Sequence, residues 1–296
     1  MEVVRGLVSI ITVNFNGFQD TCELIDSLTE NEPYSHEIIV VDNASRNDEA
    51  KKLADSYSHI QVVSNQVNLG FAGGNNKGYL LAKGEYVLFL NNDIIITRPF
   101  LQQLVERLES GKVGLVTPKI MYEEDRSRIQ FAGFTPLSPI SLRNYIIGTG
   151  EVDEGQYDEA KQTPYVHGAA MMGKKEVIDR VGLMTDVYFL FYEELDWSVQ
   201  FRKSGYDLWY EPAATVYHKE CMTAKRGSPL RLYYMTRARL LFARLNIEGV
   251  NKWLSCLYLS TFPLCKNSLY YLLRCEWGHL SVLWKGSWKG LTDSLK

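Results

Sequence analysis

Side chains that could bind a phosphorylated ligand follow four apolar segments in the first third of the chain. They are mostly amides, carboxylates and glycines, in residues 14–17, 42–48, 68–78 and 91–93. Each apolar segment before them is typical of a strand in a parallel sheet, and ligands of open α/β folds bind where the carboxyl ends of such strands meet. Taken singly, each cluster could be an ordinary turn. Four clusters at one edge predict a polar ligand site.

The third cluster contains four glycines, Gly70, Gly73, Gly74 and Gly78. Glycine lets the backbone approach a ligand closely, and a helix that begins here would offer its first N–H groups to a phosphate. The cluster follows the third predicted strand, whereas the dinucleotide-binding fingerprint follows the first, and a Walker loop would need Gly-Lys-Ser/Thr. The segment therefore predicts phosphate binding of another kind.

Asp93 ends the fourth apolar segment and is preceded by Asn91 and Asn92. A carboxylate at this place suits a hard divalent cation, which would in turn hold a diphosphate. The alternative is an aspartate that caps a helix or stabilises a turn.

An acidic and aromatic cluster occupies residues 188–197 and contains Glu193, Glu194 and Asp196. Acids are also favoured in the first turn of any helix, because they complement the helix dipole. The functional interpretation is a general base in an aromatic cleft, where burial would raise its pKa towards the working pH. His218 follows a later strand-like segment, either as a contact to metal or diphosphate or as a structural histidine.

The elements that must position these groups alternate between strands and helices. Strands are predicted at residues 7–13, 37–41, 60–63, 86–90, 113–116, 207–210 and 214–217. Helices are predicted at residues 18–29, 46–57, 72–82, 99–108, 174–181 and 192–204, and from 230 onward with a break or kink at Pro263. Strands that are apolar on both faces and separated by helices predict an open, mostly parallel α/β sheet. Residues 122–165 are predicted to be a long, partly irregular segment that is either functional or mobile.

Charge is distributed unevenly along the 296 residues, whose formal net charge is −3. Residues 225–296 hold twelve Lys/Arg and three Asp/Glu, so the remainder carries −12. An acidic body argues against general nucleic-acid binding. The five cysteines show no metal-binding spacing and are expected to be free thiols in a reducing compartment. No signal peptide or spanning helix is expected.

The basic tail is rich in aromatic residues and contains four of the six tryptophans, Trp253, Trp277, Trp284 and Trp288. Tryptophan, tyrosine and leucine mixed with lysine favour a helix that lies in a membrane interface, through residues 250–290. A packed helical subdomain or an oligomer contact is the alternative.

Seven segments, in this order, resemble glycosyltransferase family 2, in its bacterial rhamnosyltransferase-like branch. They are SIITVNFNG, EIIVVDNASRND, NLGFAGGNNKG, YVLFLNND, HGAAMMGKKEVIDRVG, FLFYEELDWSVQFRKSGYDLWYEPAATVYH and YYMTRARLLFAR. The resemblance implies the GT-A fold for residues 1–225, with a nucleotide-sugar half at 1–120 and an acceptor half at 121–225. Residues 226–296 would form a helical, membrane-associating extension.

The resemblance also implies roles for individual residues. Nucleotide contact is implied for Thr12, Asn14, Asp42, Asn68, Gly70, Asn75 and Asn92. Diphosphate contact is implied for Tyr234 and Arg237, and binding of Mg²⁺ or Mn²⁺ for Asp93 and His218. Glu194 aligns with the family's usual aspartate base, with Glu193 and Asp196 as alternatives. Two asparagines replace acids that can precede the metal-binding aspartate.

The implied reaction is inverting transfer of a sugar from a nucleotide to a glycan or lipid-linked acceptor in bacterial surface polysaccharide synthesis. The expected donor is dTDP-rhamnose, with UDP-hexoses and UDP-N-acetylhexosamines as rivals, and an oligomer is compatible with the sequence. The expected location is the cytoplasm, at the inner face of the cytoplasmic membrane. A different class of function, a catalytically weak nucleotide-binding scaffold in a glycan-assembly complex, is the alternative.

Overall fold

A computed structural model describes residues 3–220, 225 and 227–295. Its strands are β1 (Val4–Asn14), β2 (His36–Asp42), β3 (Gln61–Ser64), β4 (Gly84–Leu90), β5 (Ile94–Ile95), β6 (Val113–Tyr122), β7 (Ile129–Phe131), β8 (Lys161–Gln162), β9 (Ala170–Lys174) and β10 (Asp207–His218). Its α-helices are α1 (Phe18–Asn31), α2 (Glu49–Ser56), α3 (Gly70–Tyr79), α4 (Leu101–Glu109), α5 (Lys175–Val181), α6 (Glu193–Lys203), α7 (Pro229–Asn246), α8 (Gly249–Leu273) and α9 (Trp277–Thr292). A single 3₁₀ turn lies at Asp186–Tyr188.

The strands form one sheet in the order β3-β2-β1-β4-β9-β6-β10-β5, with β7 beside β6 and β8 beside β10. Pairing is parallel from β3 to β4 and between β6 and β10, and β9 runs antiparallel to both of its neighbours. The predicted open, mostly parallel α/β sheet is confirmed. Because β9 is antiparallel to both β4 and β6, these two strands run parallel to each other, and β1, β2, β4 and β10 all end at the same edge.

Alternate side chains of the central strands pack on opposite faces of the sheet. In β1, Val8 and Ile10 join the larger apolar cluster with α1 and α4, while Ile11 joins the second cluster with α3, α5 and α6. Strands covered on both faces read as continuous apolar runs, which explains why the sequence pattern located them.

Four details differ from the sequence-based expectations. Strand β9 was not predicted, and the two short strands expected after residue 206 are one strand, β10, with a register shift between Glu211 and Thr215. The segment 122–165 contains the short strands β7 and β8, which were not predicted, and buries Phe131 and Leu142. Of the two alternatives for Pro263, the break is excluded, because α8 continues to Leu273.

The three C-terminal helices pack together and onto the sheet domain. Helix α9 lies against α7 through Gly286 and Gly290, where an added Cβ would fall 2.7 Å from the Tyr233 carbonyl oxygen and 2.7 Å from Leu240 Cβ. Among the described residues, no helix is long and apolar enough to cross a membrane. Cys22, Cys256, Cys265 and Cys275 are free thiols, and Cys221 lies outside the described residues.

The close contact between α7 and α9 predicts opposite effects for two glycines of the same helix. Gly286→Ala should lower the free energy of unfolding by about 1–3 kcal/mol, because the new methyl group forces the helices apart. Gly278→Ala is the matched control: nothing lies within 4 Å of its added Cβ, and alanine should stabilise the helix. Urea denaturation of both variants measures the difference, and equal effects would contradict this account of the interface.

Candidate active site

A cavity of about 470 Å³ opens at the carboxyl edge of the sheet. Its walls come from four parts of the chain: the ends of β1, β2 and β4 with the start of α3, the segment before α6, the end of β10, and the start of α7. The lining residues are Val13, Phe15, Asn43, Asn68, Gly70, Phe71, Asn75, Leu90, Asn91, Asn92, Asp93, Phe189, Leu190, Phe191, His218, Leu230, Arg231 and Tyr234. The predicted convergence of polar groups from separate strands is therefore present.

Asp93 and His218 meet in this cavity, although 124 residues separate them in sequence. Asp93 Oδ1 lies 3.1 Å from His218 Nε2, and both side chains are nearly buried. The strand pairing fixes this contact, since His218 is the register partner of Ile94 and the Lys219 N–H donates to the Asp93 carbonyl.

The chemistry of this pair fits a divalent cation. His218 Nδ1 lies 2.8 Å from Gln130 Oε1, so the Nδ1–H donates to the glutamine oxygen and Nε2 faces the carboxylate. A carboxylate oxygen and an imidazole nitrogen at this distance can share a proton, and both groups are also ligands for Mn²⁺ and related ions. Within the described part of the chain, no cluster of three or more acidic, histidine or cysteine ligands exists. A metal here would complete its coordination with ligand oxygens and water.

The glycine-rich start of α3 forms the second wall, and Asn43 holds it. The Asn43 amide donates to Asn68 Oδ1 and to the Gly70 carbonyl, both at 3.0 Å, and its oxygen accepts from the Leu69 N–H. Gly70 has a φ of +72°, and a Cβ there would lie 2.2 Å from the Phe189 carbonyl oxygen. Only glycine permits this approach. Asn75 also lines the cavity and donates to the Phe71 carbonyl.

Three of the predicted nucleotide contacts lie behind the cavity wall. Thr12 and Asn14 have no exposed surface and Asp42 is 2% exposed. The Asn14 amide donates to Asp42 Oδ1 at 2.8 Å and to Glu49 Oε2 at 2.9 Å, and Asp42 Oδ2 accepts from the Ser45 N–H. The structure thus uses Asn14 and Asp42 to tie the loops after β1 and β2 together. Asn92, in contrast, lines the cavity, and its amide donates to Thr21 Oγ1 at 3.0 Å.

The three acids at the start of α6 have different environments. Asp196 accepts from the Tyr188 hydroxyl at 3.0 Å and from the Asn246 amide, so it joins α6 to α7. Glu193 is 1% exposed, and burial together with the charge of Glu194 raises the pKa of its carboxyl well above the usual range. Its Oε1 has no hydrogen-bond partner among the described residues.

Glu194 is the acid that remains partly exposed, and burial raises the pKa of its carboxyl to about 7. Its Cγ and Cδ lie beside Gly168, at 3.6 and 3.7 Å from the position of an added Cβ, and the ring of cavity-lining Phe71 lies equally near. Two backbone N–H groups, its own and that of Leu195, stabilise its charged form. A carboxyl with these properties can take up a proton near neutral pH.

The segment before α6 has an unusual backbone. Phe189, Phe191 and Tyr192 all have positive φ values, between 70° and 77°. Such values are disfavoured for aromatic side chains and persist only where the surroundings enforce them. Here the Phe71 N–H donates to the Phe189 carbonyl at 2.9 Å, and the Tyr234 ring stacks on Phe189 at 5.0 Å.

The two predicted diphosphate residues separate in the structure. Tyr234 lines the cavity. Arg237 does not, because its guanidinium pairs with Asp293 at 2.7 Å and donates to the Tyr188 carbonyl at 2.9 Å. Arg237 therefore has a packing role in this structure, and its diphosphate contact stays a prediction. Arg231 lies in the cavity wall, over the Phe191 ring at 4.8 Å.

Sequence reasoning missed Asn43, Gln130, Gly168 and Arg231 as residues of this site. Asn43 lay inside a polar cluster that was recognised, and Arg231 follows a Ser-Pro pair, a helix-start signal that was available. Gly168 lay inside the recognised segment HGAAMMGKKEVIDRVG, whereas Gln130 carries no local signal, since its role depends on the strands beside it.

A comparison with protein families supports the resemblance found in the sequence. The family model described as "Glycosyl transferase family 2" matches residues 9–182.

Two curated proteins show the same relationship. The low-salt glycan biosynthesis hexosyltransferase Agl10 of Haloferax volcanii is 25% identical over 241 residues, covering 79% of this chain and 74% of the relative. The dTDP-rhamnosyl transferase RfbF of Shigella flexneri is 27% identical over 234 residues, covering 75% of each chain.

Solved structures share the fold, which is of the GT-A type. A mannosyltransferase from Pyrobaculum calidifontis, in complex with GDP-Man and Mn²⁺, superposes with a TM-score of 0.59 at 18% identity, covering 97% of this chain and 87% of that one. GalNAc-T7 with UDP, GalNAc and Mn²⁺ gives 0.62 at 17% identity, covering 80% of this chain and half of the other. At these identities the similarity shows the fold alone.

The raised pKa of Glu194 predicts a pH-dependent effect of Glu194→Gln on stability. The folded state binds a proton that the unfolded state releases between pH 4.5 and about 7, so this carboxyl destabilises the fold as pH rises through that window. The variant should therefore match the native protein at pH 4.5 and exceed its stability at pH 8 by up to about 3 kcal/mol. Denaturant titrations at several pH values measure this. The exposed Glu124→Gln is the control, and a variant difference that is constant with pH would contradict the assignment.

Proposed function

The chain belongs to glycosyltransferase family 2, and we propose that it is an inverting, metal-dependent glycosyltransferase of bacterial surface polysaccharide synthesis. One observation carries the proposal: a single cavity at the carboxyl edge of the sheet joins the Asp93–His218 pair, the glycine-rich start of α3 and a cationic wall from α7. These groups suit a nucleoside diphosphate, and Glu194 lies beside the same cavity wall. The acceptor is a glycan or a lipid-linked glycan.

One part of the cavity would bind the nucleotide of the donor. Asn68, Gly70, Asn75 and Asn92 line the part that would hold the nucleotide. The aromatic side chains Phe15, Phe71 and Phe189 exclude water around it. Thr12, Asn14 and Asp42 support this wall from behind, and we assign them that role in nucleotide binding.

The leaving diphosphate needs positive charge, which Asp93, His218 and Arg231 are placed to organise. Asp93 and His218 would hold Mg²⁺ or Mn²⁺, and the ion would act as a Lewis acid on the diphosphate oxygens. Arg231 would bind the same oxygens from the α7 side, with Phe191 beneath its guanidinium. Tyr234 borders this wall and can donate a hydrogen bond to the diphosphate.

Glu194 is the residue we assign as general base. Of the three acids at the start of α6, only Glu194 combines partial exposure with a pKa near neutrality. It would accept the proton of the attacking acceptor hydroxyl while the C–O bond to the diphosphate breaks on the opposite face of the sugar. Attack from that side inverts the anomeric centre. Glu193 and Asp196 are less suited, since one is fully buried and the other is held by Tyr188 and Asn246.

The donor we propose is dTDP-rhamnose, because the Shigella flexneri relative covers three quarters of this chain and is a dTDP-rhamnosyl transferase. UDP-hexoses and UDP-N-acetylhexosamines are the rivals. A panel of nucleotide sugars tested by thermal shift should identify the donor, since a ligand stabilises only the state that binds it. The largest shift is expected with dTDP-rhamnose, and a larger one with a UDP-sugar would replace this donor. Transfer or hydrolysis of the best ligand then distinguishes an enzyme from a nucleotide-binding scaffold.

Replacement of the base predicts loss of chemistry without loss of binding. Glu194→Gln should reduce kcat by about 10²–10⁴, the usual contribution of a general base, and leave donor affinity within a factor of about two. Steady-state kinetics and calorimetric titration of the donor measure the two effects. Glu124→Gln, on the exposed surface, should retain native turnover. If Glu194→Gln also retains it, this glutamate is not the base.

Replacement of the diphosphate ligands predicts two distinguishable defects. Asp93→Asn should abolish the increase in nucleoside diphosphate affinity that Mn²⁺ produces. Arg231→Gln should weaken that affinity with or without metal, by about tenfold, the size of one charge-assisted hydrogen bond. Calorimetry with and without EDTA measures both. Full activity of the native protein in EDTA, or an unchanged metal response in Asp93→Asn, would contradict the metal site.

A further inference from the structure

Helix α9 presents exposed aromatic side chains on the side opposite to its contact with α7. Helix α9 buries Leu283, Gly286 and Gly290 against its neighbours and exposes Trp277, Trp284 and Trp288 at spacings of seven and four residues. These three side chains are 62%, 53% and 68% exposed. We call this surface of α9 the tryptophan face. Three large apolar side chains exposed on the same side of one helix mark an interaction site.

The charge around the tryptophan face favours an anionic partner. Residues 249–292 carry five Lys/Arg and one Asp/Glu, a formal charge of +4, whereas residues 1–224 carry −12. Lys285 and Lys289 are exposed and directly follow Trp284 and Trp288. Tryptophan beside lysine on one exposed helical surface is typical of helices that lie in a membrane interface. A symmetric dimer through this face would bring its like charges together, which disfavours a second copy of the chain.

The position of α9 relates the tryptophan face to the cavity. Helix α9 runs alongside α7 in the same direction: His279 Nε2 lies 2.8 Å from the Gly227 carbonyl, and Gly286 packs on Tyr233. The first turn of α7 supplies Leu230, Arg231 and Tyr234 to the cavity wall. The start of α9, with Trp277, therefore lies beside the cavity end of α7, about one helix spacing of 8–10 Å away.

From these observations we propose that the tryptophan face binds an anionic membrane surface and so holds the cavity within reach of an acceptor anchored in that membrane. Lys285 and Lys289 would contact lipid phosphates, and the indole rings would enter the headgroup boundary. The acceptor part of this proposal rests on the proposed glycosyltransferase function, whereas the membrane contact does not depend on it.

Co-sedimentation of the full chain with phosphatidylcholine vesicles, with and without phosphatidylglycerol, tests the contact. Native protein should bind the anionic vesicles, and added salt should release it. The double variant Lys285→Gln with Lys289→Gln should lower the partition coefficient for anionic vesicles by about 25-fold, since each lysine near such a surface is worth roughly a factor of five. Lys51→Gln with Lys52→Gln makes the same charge change on an exposed part of α2 and should have no comparable effect.

The aromatic part is tested separately. Trp284→Ala with Trp288→Ala should reduce binding by at least about tenfold, because each large apolar side chain that leaves water contributes about that factor. Tyr145→Ala, at an exposed aromatic residue outside this face, is the control. Donor binding measured without vesicles should stay native in all variants, so a failure of the glycosyltransferase proposal would be recognised independently.

Three results would overturn the membrane proposal. The first is no sedimentation of native protein with anionic vesicles. The second is equal binding by the native protein and both tryptophan-face variants. The third is a native dimer in light scattering that the tryptophan variants convert to monomer, which would show that the face is covered by a second copy.

Discussion

The two-residue pairing of β5 with the end of β10 determines the geometry of the whole site. It places Asp93 beside the register pair of Ile94 and His218, and it holds a carboxylate and an imidazole from distant segments at 3.1 Å. This pairing needs β10 to end at the same edge as β4. It does so because β9 runs antiparallel to both β4 and β6, which leaves the two halves of the sheet parallel to each other. Were β9 antiparallel to only one of these neighbours, β6 and β10 would run the opposite way, and His218 would end at the edge of the sheet away from Asp93.

Buried acids at the start of α6 show how the same helix end can serve both packing and chemistry. The dipole and the N–H groups of the first turn favour carboxylates, while burial opposes their charge. Asp196 accepts two hydrogen bonds, whereas burial and the charge of Glu194 raise the pKa of Glu193 well above its usual range. Glu194 lies between these extremes, since backbone N–H groups partly offset its desolvation. The pKa of Glu194 is therefore near neutral because its desolvation is only partly offset by hydrogen bonds to its charged form.

The sequence predicted those features that local pattern controls and failed on those that tertiary neighbours control. The apolar runs of β1, β2 and β4 were recognisable because strands buried on both faces have little freedom in composition. Strand β9, Ala170–Lys174, was missed because alanine, methionine and glycine give no strand signal by themselves. Arg231 and Arg237 lie six residues apart in one helix, about 600° of rotation at 100° per residue, so they face different directions. Which of them lines the cavity depends on how α7 packs against the sheet domain. The spacing of the two arginines in the sequence does not determine that packing.

Helix α7 makes the C-terminal region part of the site. Its first turn closes the cavity, its middle binds the Tyr188 carbonyl through Arg237, and its end holds Asp196 through Asn246. The predicted boundary after residue 225 thus falls between two walls of one cavity. Because glycines bring α9 close to α7, a partner bound to the exposed side of α9 would lie one helix away from Arg231 and Tyr234, the residues that line the cavity.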